Sequence, residues 1–254
     1  MSFLHEVTVV VQQGSPNSHP ASGILMRRSD GKPFVLTARH LVENDGGIRL
    51  GIPKTRQVVR DAARQVQRFP NVPTRPADRY VDIAVLALST TAESLVNGMG
   101  ASIGQIEGTW HADDYCILTG YARGLTDVSK RNLPGSTGTS IDLDLRNLYV
   151  PCEVNGHDDL GRLKVAWQSG PIAGTLMNNQ MEPFRAEVRD MTSPLGISGA
   201  GLWKASSADN AAIWSPRTHL HLLGICSSWN QRDTEFVEVA SEWLQWLHET
   251  TASL

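Results

Sequence analysis

Short apolar runs separated by turn-forming residues are the feature that most limits what this 254-residue chain can fold into. The runs are rich in Val, Ile, Leu and Thr, and clusters of Gly, Pro, Asn and Asp divide them. This pattern is typical of many short β-strands and not of strands that alternate with long helices. It predicts strands at residues 7–12, 21–27, 34–37, 47–51, 82–88, 115–121, 140–145, 148–154, 162–167, 184–188, 201–204, 219–226 and 235–239. The chain is therefore expected to be mostly β.

The last part of the chain has a different pattern. Between residues 240 and 250, Trp243, Leu244, Trp246 and Leu247 recur at helical spacing with Glu and Gln between them. This spacing predicts an amphipathic helix. Large aromatic side chains in such a helix mainly bury surface, so we expect both tryptophans to pack on a core rather than to bind a ligand.

Two stretches in the first half have a weaker pattern. Residues 57–69 fit either a short helix or a long strand, because a β-branched start is combined with arginines at helical spacing. Residues 91–109 contain four glycines and no strong strand, and we expect them to connect two compact halves of the chain. Between the predicted strands, His40 is expected to begin a single helical turn.

Charge and hydropathy restrict the partners and the compartment. The net charge is −3 and the isoelectric point is about 6.2, without the basic excess of a nucleic-acid-binding protein. A row of four arginines, Arg56, Arg60, Arg64 and Arg68, is more typical of a solvated face. No segment approaches the roughly 18 consecutive apolar residues of a membrane span, and residues 1–13 do not resemble a secretory signal. We therefore expect no nucleic-acid partner, no membrane partner and a cytoplasmic location.

The cysteines and paired histidines favour neither a disulfide framework nor a metal site. Cys116, Cys152 and Cys226 are odd in number and widely spaced, which fits reduced thiols in a cytoplasmic protein. Cys226 lies in an apolar run and is expected to be a small core residue. His219 and His221 would share one face of a strand, yet no neighbouring Cys, Asp or Glu completes a metal set. No metal and no other cofactor are expected.

Three separate motifs carry the candidate chemistry. His40 follows a predicted strand, Asp82 opens an apolar strand, and Ser198 lies in a Gly-Ile-Ser-Gly segment. A hydroxyl, an imidazole and a carboxylate are the groups that acyl transfer to serine requires. Gly196 permits backbone conformations in which its own amide and that of Ser198 converge on one oxyanion. A histidine of this kind taken singly is more often incidental, and Asp82 also fits a turn residue that caps its strand. The three residues together are what indicates catalysis.

These motifs resemble those of the trypsin-like, chymotrypsin-fold serine peptidases. That family has Thr-Ala-x-His, Asp-Ile-Ala-Val/Leu-Leu and Gly-x-Ser-Gly in this order, and residues 37–40, 82–86 and 196–199 match them. Three further segments resemble the opening strand of the family's second barrel, its cleft strand, and its last strand with the closing helix: residues 119–124, 224–229 and 236–247. The resemblance covers nearly the whole chain.

The resemblance implies an all-β fold of two packed six-stranded antiparallel β-barrels with a C-terminal α-helix. Residues 1–108 would form the N-terminal barrel that carries His40 and Asp82. Residues 109–239 would form the C-terminal barrel that carries Ser198, and residues 240–254 the helix.

The same resemblance implies a serine endopeptidase that hydrolyses protein or peptide substrates through an acyl-enzyme intermediate. In this scheme Asp82 orients His40, His40 takes the proton from Ser198, and the amides of Gly196 and Ser198 form the oxyanion hole. An extended peptide would pair with the backbone of residues 228–230.

The resemblance also implies the position of a substrate pocket. Thr192 would lie near the base of the pocket, where it offers no acidic group to a basic substrate side chain. The chain has one serine more before Trp229 than the family's usual Ser-Trp-Gly, so the register of the cleft strand is open by one residue. The implied substrate-binding residues are Thr192, Ser193, Ser228, Trp229 and Asn230.

One departure from the family pattern bears on regulation. Many secreted members have an aspartate before the catalytic serine that captures a new N-terminal amine after zymogen cleavage, and Ile197 stands there in this chain. That activation switch is therefore not available. The resemblance is to a bacterial-type intracellular member without zymogen activation, and we expect control by a regulatory protein partner or by restricted target choice.

Two other functions fit parts of the same sequence. Residues 196–200 also fit the elbow of an α/β-hydrolase esterase, although that fold needs long helices and Ala200 stands where glycine is usual. A peptidase-like binding module, catalytically silent or active only when a partner orders its loops, would have the same motifs. The acid and the base of the esterase would come from Asp209 or Asp233 and from His219, His221 or His248.

Overall fold

Strands dominate the part of the chain whose structure is described. The computed structural model describes residues 2–14, 20–44, 46–52, 55, 57–70, 81–106, 109–121, 127–131, 140–144, 147–159, 161–166, 176–177, 183–184, 196–206, 214–229, 233–238 and 241–254. Within these ranges the strands form two large, curled, mainly antiparallel sheets and one separate hairpin. The predicted all-β double-barrel fold with a C-terminal helix is confirmed.

The first sheet is built from the N-terminal part of the chain. Its strands are β1 (Thr8–Gln13), β2 (Ala21–Arg27), β3 (Pro33–Thr37), β4 (Ile48–Ile52), β5 (Gln57–Val59), β6 (Ala63–Arg68), β7 (Ala84–Leu88) and β8 (Ala101–Ser102). The strand order is β5-β4-β1-β2-β3-β7-β6, and β8 pairs with β2 in parallel. Because β3 and β7 are neighbours, residues just outside their paired ends come together in space.

The second sheet follows and has nine strands in the described ranges. They are β9 (Tyr115–Tyr121), β12 (Asn147–Cys152), β13 (Val154–His157), β14 (Leu163–Ala166), β15 (Leu176–Met177), β16 (Pro183–Phe184), β17 (Gly201–Ala205), β18 (Leu220–Trp229) and β19 (Asp233–Glu238). The strand order is β13-β14-β19-β18-β17-β9-β12-β15-β16. The separate hairpin pairs β10 (Asp127–Arg131) with β11 (Ser140–Asp144).

The central strands of the first sheet are buried on both faces, which explains their continuous apolar sequences. Leu25, Val35 and Leu86 lie side by side across β2, β3 and β7 and point into the curled sheet. Successive residues of a strand point to opposite faces. The neighbouring row therefore packs in the core shared with the second sheet, and it consists of Ile24, Leu36 and Val85. Each such buried side chain contributes about 1.5–3 kcal/mol.

The shared core between the sheets is closed by both ends of the chain. Helix α1 (Ser2–Val7) brings Phe3 against Trp203 of β17, with ring centroids 6.0 Å apart in an edge-on arrangement. Helix α4 (Ser241–Ala252) brings Trp246 against Phe69 at 5.1 Å, and Leu247 is fully buried. The predicted C-terminal helix is confirmed, and so is the packing of Trp246, whereas the side chain of Trp243 lies outside the described part of the structure. The sequence did not predict α1.

The two stretches with a weak sequence pattern, residues 57–69 and 91–109, form strands and short helices. Residues 57–69 form strands β5 and β6 with a turn at Asp61, which has a φ of 48°. The helical spacing of the arginines is therefore coincidental, and Arg56 lies outside the described residues. Residues 91–109 are not simply a connection, because they contain most of helix α2 (Thr90–Leu95), strand β8 and a 3-10 helix (Ile103–Gln105). A short helix α3 (Pro216–His219) precedes β18. Among the described helices, none has the length and apolar character needed to cross a membrane.

All three cysteines are free, and two of them face each other across neighbouring strands. Cys116 of β9 is the direct partner of Cys152 of β12. Burial raises the pKa of Cys116 to about 11 and also raises the pKa of Cys152. Cys226 is 1 % exposed and belongs to the core of the second sheet, as the sequence predicts.

These thiols should react slowly in the native protein. Because alkylation requires the thiolate, we expect iodoacetamide at pH 7.5 to modify Cys116 about 100-fold more slowly in the folded protein than in the urea-unfolded chain. Mass spectrometry of time points would give both rates. Equal rates in the two states would contradict the burial of this thiol.

Candidate active site

The pairing of β3 with β7 brings His40 and Asp82 into contact. Thr37 and Ala84 are direct partners at the paired ends of these strands. His40 follows β3 in a 3-10 helix (Arg39–Val42), and Asp82 precedes β7. The Nδ1 atom of His40 lies 2.6 Å from Oδ2 of Asp82, and the backbone N–H of His40 donates to Oδ1 at 2.8 Å. Both carboxylate oxygens therefore hold the histidine.

The environment of this pair favours a basic imidazole with one free nitrogen. Asp82 is 6 % exposed, whereas the His40 side chain is 41 % exposed. The hydrogen bond to Asp82 raises the pKa of His40, partial burial opposes it, and the negative charges of Asp82 and Glu43 raise it further. A carboxylate at Nδ1 favours the tautomer with the proton there, which leaves Nε2 as the hydrogen-bond acceptor.

Two arginines fix the helix that carries His40. Arg68 donates from Nε and Nη2 to the carbonyl of Val42 at 3.0 and 2.6 Å, at the end of the helix. Arg39 donates from Nη1 to the carbonyl of Phe69 at 2.9 Å. The helix is thus attached to β6 and to the residue that follows it, so the imidazole is carried by a rigid segment.

Ser198 lies in a tight turn that is hydrogen-bonded to the second sheet. Gly196 and Gly199 have φ values of 92° and 80°, which side-chain-bearing residues rarely adopt. The N–H of Ala200 donates to the carbonyl of Ile197 at 2.7 Å, and the N–H of Gly199 donates to the carbonyl of Cys226 on β18 at 2.8 Å. Ile197 is 2 % exposed and packs in the core of the second sheet.

The turn of Ser198 also contacts the strand that leads to His40. The backbone N–H of Ser22 on β2 donates to the carbonyl of Ser198 at 2.8 Å, and the hydroxyl of Thr37 donates to the carbonyl of Ser22 at 2.8 Å. A Cβ atom on Gly199 would lie 2.0 Å from the Ser22 carbonyl oxygen, so only glycine fits this approach. The structure therefore joins His40 to Asp82 directly and places the Ser198 turn against the end of β3.

The expected substrate-binding residues are only partly described. Ser228 and Trp229 lie at the end of β18, whereas Thr192, Ser193 and Asn230 lie outside the described residues. The pairing of β18 with β19 shifts register between Cys226 and Ser228. Ser227 is therefore the extra residue, and this bulge accommodates the serine that left the register open.

Arg162 is a residue of this region that the sequence analysis missed. Its Nη1 atom donates to the hydroxyl of Ser228 at 2.8 Å. Its Nε and Nη2 atoms contact Oδ2 of Asp158 at 2.8 and 2.7 Å. The arginine thus connects the turn between β13 and β14 to the strand that would bind substrate. An arginine in a surface turn has no sequence signal for such a contact.

Ser22 is a second residue of the site that the sequence analysis did not identify, although its place in an apolar strand indicated a buried contact. It is fully buried and is the second residue of the mainly apolar strand β2. Buried polar side chains nearly always have hydrogen-bond partners. A serine and a glycine interrupting the apolar residues of β2 therefore indicated a close contact with another segment, but not which one.

A family model matches more than half of the chain. The model is described as Trypsin, and it matches residues 3–141. The chain belongs to the trypsin family. The matched range contains His40 and Asp82 and ends before Ser198. Membership places this trypsin-family chain among the serine peptidases and implies a protein or peptide as substrate.

Solved structures share the fold at low sequence identity. The structure of GrC has a TM-score of 0.54 and 14% identity, over 99% of this chain and 97% of that one. The serine endoprotease from Yersinia pestis has a TM-score of 0.53 and 15% identity, over 98% of this chain and 64% of that one. No curated protein matches the chain. At these identities the likenesses support the fold alone.

Family membership excludes the α/β-hydrolase alternative. An elbow of that fold follows a central parallel sheet with helices on both faces, whereas both large sheets here are mainly antiparallel. Two of the histidines considered for it have other contacts: Nδ1 of His219 accepts from the backbone N–H of Ser215 at 3.0 Å, and Nε2 of His221 lies 3.5 Å from the hydroxyl of Ser206. Asp209 lies outside the described residues.

Proposed function

We propose that this trypsin-family protein is a serine endopeptidase in which His40, Asp82 and Ser198 form the catalytic triad. The observation that carries the proposal is the 2.6 Å contact between His40 Nδ1 and Asp82 Oδ2. It is supported by the Ser198 turn, which is hydrogen-bonded through Ser22 to the strand that delivers the base.

The reaction would run in two half-reactions. Nε2 of His40 takes the proton from the Ser198 hydroxyl as its oxygen attacks the substrate carbonyl carbon, and Asp82 stabilises the imidazolium that forms. The N–H groups of Gly196 and Ser198 bind the oxyanion. His40 then gives its proton to the leaving amine as the peptide bond breaks. A water molecule, deprotonated by His40, hydrolyses the acyl-enzyme and returns Ser198 to its starting state.

The substrate would be an extended peptide that adds to the end of β18. Backbone pairing of this kind supplies affinity without selecting side chains, so selectivity would come from the pocket and from Ser228 and its neighbour Arg162. Because Ile197 is buried where an activation switch would need an aspartate, control would come from a protein partner or from restricted target choice. The three free cysteines favour a cytoplasmic location.

A fluorophosphonate probe tests the proposal. It reacts with serines that an adjacent base activates, and we expect one adduct, located on Ser198 by mass spectrometry of the digested protein. Peptides containing other serines should remain unmodified. A protein that stays unlabelled until a partner or substrate protein is added would indicate the gated form of the site. An adduct on another serine would contradict the assignment.

The activity should depend on pH through His40. Asp82 raises the pKa of His40 above 6.5, and only the neutral imidazole acts as a base. We therefore expect kcat/KM to fall with decreasing pH with a midpoint above 6.5, measured between pH 5 and 9. The Glu43→Gln variant removes a smaller raising effect and should lower this midpoint slightly. A midpoint below 6.5 in the unsubstituted protein would contradict the His40–Asp82 pairing.

The raised pKa of His40 also affects the stability of the fold, but its effect on stability changes with pH in the direction opposite to its effect on activity. A histidine whose pKa is higher in the folded state stabilises the fold most below pH 6.5, and the contribution is lost as the pH rises through the folded-state pKa. The stabilisation that Asp82 gives through His40 is thus largest where the enzyme is least active. The exposed position of the imidazole keeps this contribution small.

A further inference from the structure

Ser22 makes hydrogen bonds to three segments that meet between the two sheets: the turn of Ser198, the end of β3 and the end of β9. It lies on β2 and is fully buried. Its N–H donates to the carbonyl of Ser198 at 2.8 Å, and its carbonyl accepts from the hydroxyl of Thr37 at 2.8 Å. Its hydroxyl accepts from the N–H of Tyr121 at 2.8 Å and donates to the carbonyl of Gly196 at 3.4 Å.

The backbone and the side chain of Ser22 do different things. The backbone bonds connect the Ser198 turn to Thr37, three residues before His40, and any residue at position 22 with the same backbone could make them. The hydroxyl bonds connect the turn to β9 of the second sheet, and they require a side chain that donates and accepts at once. The hydroxyl is therefore the feature that distinguishes serine from alanine or glycine at this position.

The bond to Gly196 bears on the proposed oxyanion hole. Gly196 has a φ of 92° and no Cβ atom, so its backbone rotates more freely than that of other residues. The carbonyl of Gly196 and its N–H belong to the two peptide groups on either side of its Cα. A donor on the carbonyl therefore restricts one of these two rotations and limits how far the turn that carries the N–H can move. That N–H is one of the two proposed oxyanion donors, and such donors act by being in place before charge develops.

Resting on the proposed function, we propose that Ser22 is a positioning residue for the oxyanion hole. Its hydroxyl holds the Gly196 carbonyl on one side and the Tyr121 amide on the other, and so keeps the turn of Ser198 at a constant position relative to β9. Ser22 acts through Gly196 and Ser198 and does not contact the substrate.

Two variants separate positioning from simple loss of a buried hydrogen bond. Ser22→Ala removes the hydroxyl and keeps the backbone bonds. Thr8→Val is the matched control, because Thr8 is also fully buried on the first sheet. Its hydroxyl contacts the carbonyl of Leu4 at 2.7 Å and the hydroxyl of Thr119 on β9 at 3.4 Å, and neither contact involves the turn of Ser198. Both variants should show a lower Tm. Only the first should change the turn that carries Ser198.

The kinetic readout is the division of the effect between kcat and KM. We expect Ser22→Ala to lower kcat by about 10- to 100-fold with KM changed less than about threefold, because substrate binding does not need the oxyanion donors. The pH midpoint should stay unchanged, since the bonds between His40 and Asp82 do not involve Ser22. Thr8→Val should keep kcat within about threefold of the unsubstituted protein.

Hydrogen–deuterium exchange tests the positioning role without relying on activity. In Ser22→Ala, peptides covering residues 196–200 and Tyr121 should exchange at least about 10-fold faster than in Thr8→Val. Losing a hydrogen bond of this kind raises the fraction of locally open molecules by roughly that factor. If the unsubstituted protein is inactive and this difference persists, the proposed function fails, and what stands is that the Ser22 hydroxyl holds the turn of Ser198 in place. Equal exchange in the two variants, or equal loss of kcat, would overturn the positioning role while leaving the triad intact.

Discussion

The Ser198→Ala variant is expected to lose fluorophosphonate labelling and to show a kcat lowered by about 10⁶-fold. Without the hydroxyl no acyl-enzyme forms, and His40 has no alcohol to deprotonate. Any remaining hydrolysis would come from water attacking the bound substrate, with the backbone N–H groups of positions 196 and 198 stabilising the oxyanion. The measurement is hydrolysis of a fluorogenic peptide library, followed by mass spectrometry of the products.

A matched control for this variant is Ser206→Ala. Ser206 also lies next to a histidine, with its hydroxyl 3.5 Å from Nε2 of His221, but neither residue has a role in the proposed reaction. It should keep full labelling and activity. Both variants should keep the circular dichroism spectrum of the unsubstituted protein. Peptide cleavage that survives in Ser198→Ala and disappears in Ser206→Ala would reverse the assignment.

The Asp82→Asn variant is expected to lower kcat by about 10⁴-fold while keeping the fold. An asparagine can still accept the backbone N–H of His40 with its amide oxygen. Its NH₂ group then faces Nδ1, so the imidazole proton moves to Nε2 and the base is lost. Steady-state kinetics at pH 8 would measure the effect. The pKa of His40 should fall as well, because the carboxylate that raises it is gone.

Asp114→Asn provides the control for removing a carboxylate. Asp114 is a paired aspartate away from the triad, with Oδ2 3.2 Å from Nζ of Lys204 at the end of the second sheet. Losing this ion pair should lower the Tm and keep kcat within about threefold of the unsubstituted value, because neither residue belongs to the proposed active site. If Asp82→Asn retained more than a tenth of the unsubstituted kcat, Asp82 would not be the residue that orients the base.

Burial patterns visible in the sequence account for the part of the fold that was predicted. Strands β2, β3 and β7 are buried on both faces, so their apolar runs are continuous and easily recognised. Helix α4 has the apolar spacing of a helix that covers a core. Helix α1 has no such pattern, since it is one turn and a half long and is held by Trp203 and Arg217, about 200 residues away in the sequence. Short helices gain their stability from such contacts.

The candidate site also contains residues that local motifs identify and contacts that they do not. The motifs around His40, Asp82 and Ser198 were recognisable because each is local. The arrangement of Ser22, with Ser198 on one side and Thr37 on the other, was not, because these residues meet only after two sheets have packed. The contact of Arg162 with Ser228 spans 66 residues and likewise has no local signal.

Local sequence patterns were sufficient to predict the all-β class, the C-terminal helix, and a hydroxyl, an imidazole and a carboxylate in the order of a known family. The tertiary structure decided which atoms meet: the register of β3 on β7 joins His40 to Asp82, and the approach of Gly199 to Ser22 brings the turn of Ser198 to the same edge. Local patterns record the burial of each segment, whereas distances between segments depend on packing that no single segment contains.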